Sequence, residues 1–277
     1  MKGKINIRRV IELTIVFVLT VVLMLVVSVL VGEFGENLPT NLLLILSEGI
    51  IVVPAIIYCL IRKLSLKEDF GFRLIRIPTL LFSILLGFLV MPIASFINIL
   101  TQFFVPNTMV QASNELMEGS QLVMLFIVGF FGPFCEEFTF RGLLHRGYAK
   151  YTTPVLGMII SAVLFGIMHM NINQLCYAMV LGLIFAWVNN CSRSIFSSVT
   201  MHVVVNTINT VMLMASTAVL EGAGQDLAQS AEALRSDTQS LAVIAVVYFV
   251  IALIAFGLMI PCCMAIKKLE GSKEKDI

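Results

Sequence analysis

The chain alternates long apolar runs with short polar breaks. The runs lie at 10–31, 41–61, 79–104, 121–144, 154–170, 175–190, 195–216 and 241–266, the fifth and sixth being the shortest. A helix of about 20 apolar residues, rising 1.5 Å per residue, crosses a hydrocarbon core of roughly 30 Å. Lipid offers backbone N–H and C=O groups no partner, so runs of this length are expected as helices. The pattern predicts an all-α, polytopic membrane protein of about eight transmembrane helices.

Composition sharpens this picture. Of 277 residues, 59% are hydrophobic and 13% charged, against about 25% charged in a soluble domain. Mean hydropathy is +0.99. The excess excludes a soluble core, and the length suits a single transmembrane domain over 1–277. No internal repeat or low-complexity segment divides it. A net charge of +1 gives no sign of a nucleic-acid partner.

The basic residues fix an orientation. With eight spans, both termini fall on one side. All of the 18 Lys and Arg except Arg141 and Arg235 then lie on that side. They include Lys2, Lys4, Arg8 and Arg9, then Arg62 to Arg76, Arg146, Lys150, Arg193, and Lys267 to Lys275. The opposite loops carry Glu33, Glu36, Glu115, Glu118, Glu221, Asp226, Glu232 and Asp237. Positive charge marks the cytoplasmic face, so both termini are expected in the cytoplasm. The first run is too long for a signal-peptide core and lacks an A-x-A-like site, so it is expected as a retained anchor. The six cysteines show no CxxC spacing and read as small hydrophobes rather than disulfide partners.

The loops offer little chemistry. Residues 62–78 form a basic segment expected to lie along the membrane surface. Residues 107–120 and 220–239 are polar outer loops without a metal or phosphate motif. The chemistry therefore belongs in the membrane, where ionisable groups are costly and point by default to function. The fourth run holds "FCEEFTFRGLLHRG" (134–147), with Glu136, Glu137 and Arg141. The fifth holds His169, the seventh His202 and Asn206, and the second Glu48. Glu137 and Arg141 are i,i+4 on a helix and can pair, while Glu136 is rotated about 100° away. His202 and Asn206 share one stripe. Glu136 and His169 each lie about 16 residues from the turn near 151–153, which sets them level in an antiparallel hairpin, roughly 20–25 Å from that turn. Gly132 and Pro133 are expected to bend the helix beside the carboxylates. Other readings stand beside these. Glu137–Arg141 reads equally as a structural ion pair and Glu48 as a structural residue, and His145 reads as an interfacial residue.

Three short motifs, each on its own apolar run, carry a resemblance. "EEFTFR" (136–141), "FGIMH" (165–169) and "HVVVN" (202–206) resemble the EExxxR, FxxxH and HxxxN motifs of the CAAX-protease and bacteriocin-processing (Abi) family of intramembrane proteases, the CAAX prenyl protease 2-like proteins. The resemblance covers about 120–215, the expected protease core. It implies an intramembrane endopeptidase acting on membrane-associated or lipidated proteins and peptides, in a cell membrane, here a bacterial one. By the same resemblance, Glu136 and His169 would activate a water, and His202 and Asn206 would form an oxyanion hole. Glu137 and Arg141 would support Glu136, and no cofactor would be required. That chemistry suits peptide hydrolysis, which needs a base for water and donors for the developing oxyanion. One alternative is a zinc metalloprotease with Glu136, His169 and His202 as ligands, although HExxH is absent. Another is a non-enzymatic immunity or scaffold protein. Transport has no support in paired broken helices.

The topology is directly testable. Reporter fusions after Lys63, Lys150 and Lys267 are expected to report the cytoplasm, and a fusion within 222–238 the opposite side. A cytoplasmic signal from 222–238 would overturn the eight-span arrangement.

Overall fold

The computed structural model describes residues 5–34, 38–111, 113 and 119–272. Of the charges used above, Lys2, Lys4, Glu36, Glu115, Glu118, Lys273 and Lys275 lie outside these residues. Every regular element among them is helical: α1 Ile7–Phe34, α2 Thr40–Ile50, α3 Val53–Arg62, α4 Ile77–Gln102, α5 Thr108–Gln111, α6 Gln121–Tyr151, α7 Pro154–Met168, α8 Ile172–Ser192, α9 Ile195–Gly222, α10 Leu227–Ser236 and α11 Thr238–Ser272. Among the described residues seven helices are long and apolar enough to cross a membrane, with α2 and α3 taken together as one. α7, at 15 residues, is shorter. The sixth run, expected to be short, forms a 21-residue helix because Asn171 caps it three residues early, its side chain accepting from Gln174 N–H.

The surface is that of a protein in lipid. Leucine, isoleucine, valine and phenylalanine side chains on α1, α4 and α11 point outward, while Glu137, Arg141 and His202 are buried. Such a continuous apolar exterior is what a soluble monomer avoids, and with the span count it marks an integral, multi-pass membrane protein.

α6 is the spine of the bundle, and the elements around it explain where the site sits. The second span breaks at Ile51–Val52, because Pro54 opens a new helix at the first turn of α3. The break is docked on α6, where Thr139 Oγ1 donates to the Ile51 carbonyl at 3.0 Å. α6 and α7 form the expected hairpin. Gly157 packs so closely on Ala149 that a Cβ there would lie 2.5 Å from the Ala149 nitrogen, so only glycine lets the two helices meet at their turn.

Two segments outside the spans depart from expectation. Residues 62–78 do not merely lie on a surface. Phe70 is fully buried and stacks at 4.8 Å on Phe138, while Phe72 meets Phe134, Phe138 and Phe196. Burial of Phe70 and the ring contacts of the half-buried Phe72 outweigh solvation of the loop's charges, most of which stay outside. The outer segment 220–239 is partly helical, with Asp226 capping α10 by accepting from Gln229 N–H at 2.8 Å. All six cysteines are free thiols.

A cap links the two ends of the bundle's third and last spans. Glu270, buried on α11, accepts from the Arg76 N–H at 3.0 Å and the Thr79 hydroxyl at 2.6 Å, at the start of α4. It serves orphan donors of a helix N-terminus from a residue far away in sequence. Glu270→Ala is expected to lower stability by about 1–2 kcal/mol, measured as a fall in Tm of the protein in detergent, with Glu270→Gln milder. An unchanged Tm in the alanine variant would contradict the capping role.

Candidate active site

The helix that carries the carboxylates is not a regular α-helix. Within α6, Ile127–Phe131 and Phe138–His145 are wound as π-helix, flanking an α-helical turn at Gly132–Glu137. Such segments recur at functional sites because they re-aim side chains. Pro133 brings no N–H to this turn, so the turn before it has carbonyl groups lacking their usual donor. Side chains of α9 supply donors there. Asn206 Nδ2 donates to the Val128 carbonyl at 3.1 Å, and Thr207 Oγ1 reaches the Gly129 carbonyl at 3.4 Å. The expected bend thus appears as a change of helical winding, and it pins α9 against α6.

Below this turn lies the ion cluster. Glu137 is fully buried and Arg141 is 1% exposed. Arg141 Nη1 is 3.0 Å from Glu137 Oε1. The pair is a close charge contact rather than an aligned hydrogen bond, since the guanidinium N–H groups have no aligned acceptor among the described residues. Its faces are covered instead by aromatic rings, Phe165 at 4.1 Å and Phe185 at 5.2 Å. Cation–π contacts of this desolvated kind contribute about 2 kcal/mol. The same Glu137 Oε1 lies 3.1 Å from His202 Nδ1. A carboxylate paired with a guanidinium acts only as an acceptor, so the proton of this bond sits on His202 Nδ1.

That bond decides what His202 offers on its other side. Its Nε2 is 3.5 Å from Glu136 Oε2. With Nδ1–H committed to Glu137, Nε2 is a lone pair when the ring is neutral and a donor only when it is an imidazolium. His169 is set in a similar way. It closes the C-terminus of α7 with Nδ1 2.8 Å from the Phe165 carbonyl. A carbonyl can only accept, so Nδ1 carries the proton and the neutral ring leaves Nε2 as a base. Asn171 Nδ2 donates to the His169 carbonyl at 3.2 Å, and this holds the turn into α8.

The structure therefore brings together five of the six expected residues around one ring. Phe165 contacts Arg141, His169 at 5.1 Å and His202 at 5.9 Å, and the two carboxylates flank His202. Glu136 contacts His202 rather than His169 among the described residues. Asn206 lies one turn along α9 and donates from its amide to the Val128 carbonyl. No three His, Cys, Asp or Glu side chains among the described residues are grouped to hold a metal ion.

Sequence reading passed over several participants. Phe185 lies in an apolar run without any polar signal, yet its ring covers Arg141 and lies 4.9 Å from His202. Glu48, left without a partner, packs on Gly132, where a Cβ would meet its carboxyl at 2.9 Å. Gly132 is one helical turn from Glu136, so Glu48 stands beside the site. His145, expected at the interface, is buried with neither ring nitrogen partnered among the described residues.

Breaking the central pair tests its energetics. Arg141→Ala strands Glu137 as a buried charge and is expected to cost about 3–5 kcal/mol. Adding Glu137→Gln should return part of that loss, because the stranded charge is gone. Thermal unfolding in detergent reads both, and a double variant no more stable than Arg141→Ala would contradict the pairing.

Residues 118–208 match the family model described as type II CAAX prenyl endopeptidase Rce1-like. No curated protein and no solved structure matches the chain. The matched stretch contains Glu136, Glu137, Arg141, His169, His202 and Asn206, and through it the chain carries a type II CAAX prenyl endopeptidase Rce1-like segment, consistent with the CAAX-protease and bacteriocin-processing family.

Proposed function

We propose that the protein is an intramembrane endopeptidase that hydrolyses peptide bonds of lipidated or membrane-associated proteins and peptides without a metal. The observation that carries this reading is the buried array Arg141–Glu137–His202–Glu136, with the His169 ring packed against Phe165, the ring that also covers Arg141. A structural ion pair alone has no use for a second carboxylate and a second imidazole beside it.

In this reading Glu136 and His169 Nε2 hold one water between them. Glu136 takes a proton as the water oxygen attacks the substrate carbonyl carbon, and later gives it to the departing amine. The negative charge that develops on the carbonyl oxygen meets the second amide hydrogen of Asn206, the one not given to Val128. It meets His202 Nε2 as well, when that ring is an imidazolium. Glu137 steadies that imidazolium through Nδ1, and Arg141 keeps Glu137 ionised. Donors fixed in a water-poor interior stabilise such charge without reorganisation. The Rce1-like match supports the substrate class, and the apolar flanks of the bundle suit a lipid-anchored peptide. The zinc and scaffold readings draw no support from the geometry.

Variants separate these roles. Glu136→Gln and His169→Ala are expected to abolish cleavage of a prenylated peptide while the protein stays folded and membrane-inserted. Asn206→Ala should lower kcat by about 10²–10³, with KM little changed. Asn206→Asp should be worse, since an ionised carboxylate opposes the oxyanion. Near-normal turnover in His169→Ala would refute water activation by that ring. Full activity in Asn206→Ala would remove it from the oxyanion hole.

A further inference from the structure

We propose that the basic end of the bundle binds an anionic phospholipid, with the headgroup phosphate in a cationic cleft and an acyl chain in the groove between α1 and α3. The site is separate from the ion cluster: Glu136, His169, His202 and Asn206 line neither cavity.

The cleft has a volume of about 460 Å³ and gathers residues from α1, α3, the 64–69 loop, α6 and α8. Its lining holds five cationic side chains, Arg9, Arg62, Arg146, Lys150 and Arg193, against two carboxylates, Glu68 and Asp69. Both carboxylates are engaged, Glu68 with Arg73 at 2.5 Å and Asp69 with Lys150 at 2.9 Å. Deep in the same cleft His145 is 1% exposed with both ring nitrogens unpartnered among the described residues, and so is the Nε of its neighbour Arg146. The one N–H of a neutral imidazole and the Arg146 Nε–H are buried donors that ask for an acceptor. Cations in excess around them make that acceptor an anion, and phosphate oxygens match guanidinium geometry.

The neighbouring groove identifies which phosphate. It also measures about 460 Å³ and is lined mainly by aliphatic side chains, such as Ile15, Leu19 and Val26 of α1 and Val53 and Ile57 of α3. Tyr58 and Arg62 line both cavities. At this junction a single carboxylate, Glu12, is surrounded by Arg8 at 3.4 Å, Arg9 at 2.8 Å and Arg62 at 2.5 Å, and it accepts from the Tyr58 hydroxyl at 3.1 Å. Three guanidiniums around one carboxylate leave the junction positive. From Glu12 to Val26 the groove follows α1 for about 21 Å, more than half of the roughly 30 Å hydrocarbon core. A charged head over an apolar slot one leaflet deep is the outline of a phospholipid. The positive junction favours one with net negative charge, as basic pockets beside membrane spans do. Free phosphate would use the cleft and leave the groove without purpose.

Native mass spectrometry and thermal unfolding of the full chain in neutral detergent test this, with phosphatidylglycerol, phosphatidylcholine and inorganic phosphate as separate probes. Phosphatidylglycerol is expected to remain bound and raise Tm, since a ligand of the folded state stabilises it. Phosphatidylcholine should bind about tenfold more weakly or worse, for want of net charge, and phosphate alone should leave Tm unchanged. Arg62→Gln should weaken phosphatidylglycerol binding about tenfold. Leu19→Trp, at an outward-facing position, should fill the groove and do likewise without disturbing the fold. Equal binding of the two lipids would overturn the proposal, as would a Tm rise from phosphate matching that from phosphatidylglycerol. Unaltered phosphatidylglycerol affinity in Leu19→Trp would also overturn it, whether or not Arg62→Gln folds.

Discussion

The Arg141 guanidinium lies 1% exposed inside a bundle whose outer surface is apolar. Neither water nor lipid can compensate it there, so the protein must, and the local structure follows from that need. Glu137 supplies the opposite charge at 3.0 Å, and Phe165 and Phe185 cover the faces of the guanidinium. Each of these residues then has a second task. Glu137 fixes the proton of His202 Nδ1, Phe165 offers its carbonyl to His169, and Phe185 packs on the His202 ring. A buried ion pair is weak evidence for stability. Here it orients the His202 imidazole through Nδ1, and that is the stronger reason for its presence.

The scaffold around the pair is shaped by missing N–H groups. Pro54 restarts the second span, and Thr139 of α6 binds the Ile51 carbonyl at the break. Pro133 interrupts α6, and Asn206 and Thr207 of α9 bind carbonyls of the turn before it. In both places a backbone defect is repaired by a side chain from another helix, within a turn or two of Glu136 and Glu137. The defects thereby lock three spans in register at the level of the cluster, which is what a site requiring fixed donors needs. α7 and α8 add His169 through a tight turn whose carbonyl and amide groups are satisfied by His169 and Asn171 themselves.

Much of this was legible in the sequence, and for physical reasons. Twenty-residue apolar runs report the helices, because lipid permits little else. Glu136, Glu137, Arg141, His169 and His202 stood out because a charge or imidazole in such a run is expensive. Other features leave no such trace. The π winding of 127–131 and 138–145 has no counterpart in the residue pattern, and the Glu137–Arg141 pair is a close contact without an aligned hydrogen bond. Phe185 acts through the face of a ring, and Val128 through a backbone carbonyl, and neither carries a polar signature. Phe70 and Phe72 looked like part of a basic surface loop because charge dominates local composition, while burial is decided by the aromatic partners on α6 and α9.

The central claim is that an ionised Glu137, held by Arg141, places the proton of His202 on Nδ1. Nitrogen-15 NMR of the histidine-labelled protein in detergent measures that directly, with His202 assigned by its loss in His202→Gln. A protonated Nδ1 on His202 at neutral pH is the expected result. A His202 ring protonated on Nε2 alone, with Nδ1 a bare lone pair facing a protonated Glu137, would contradict the account.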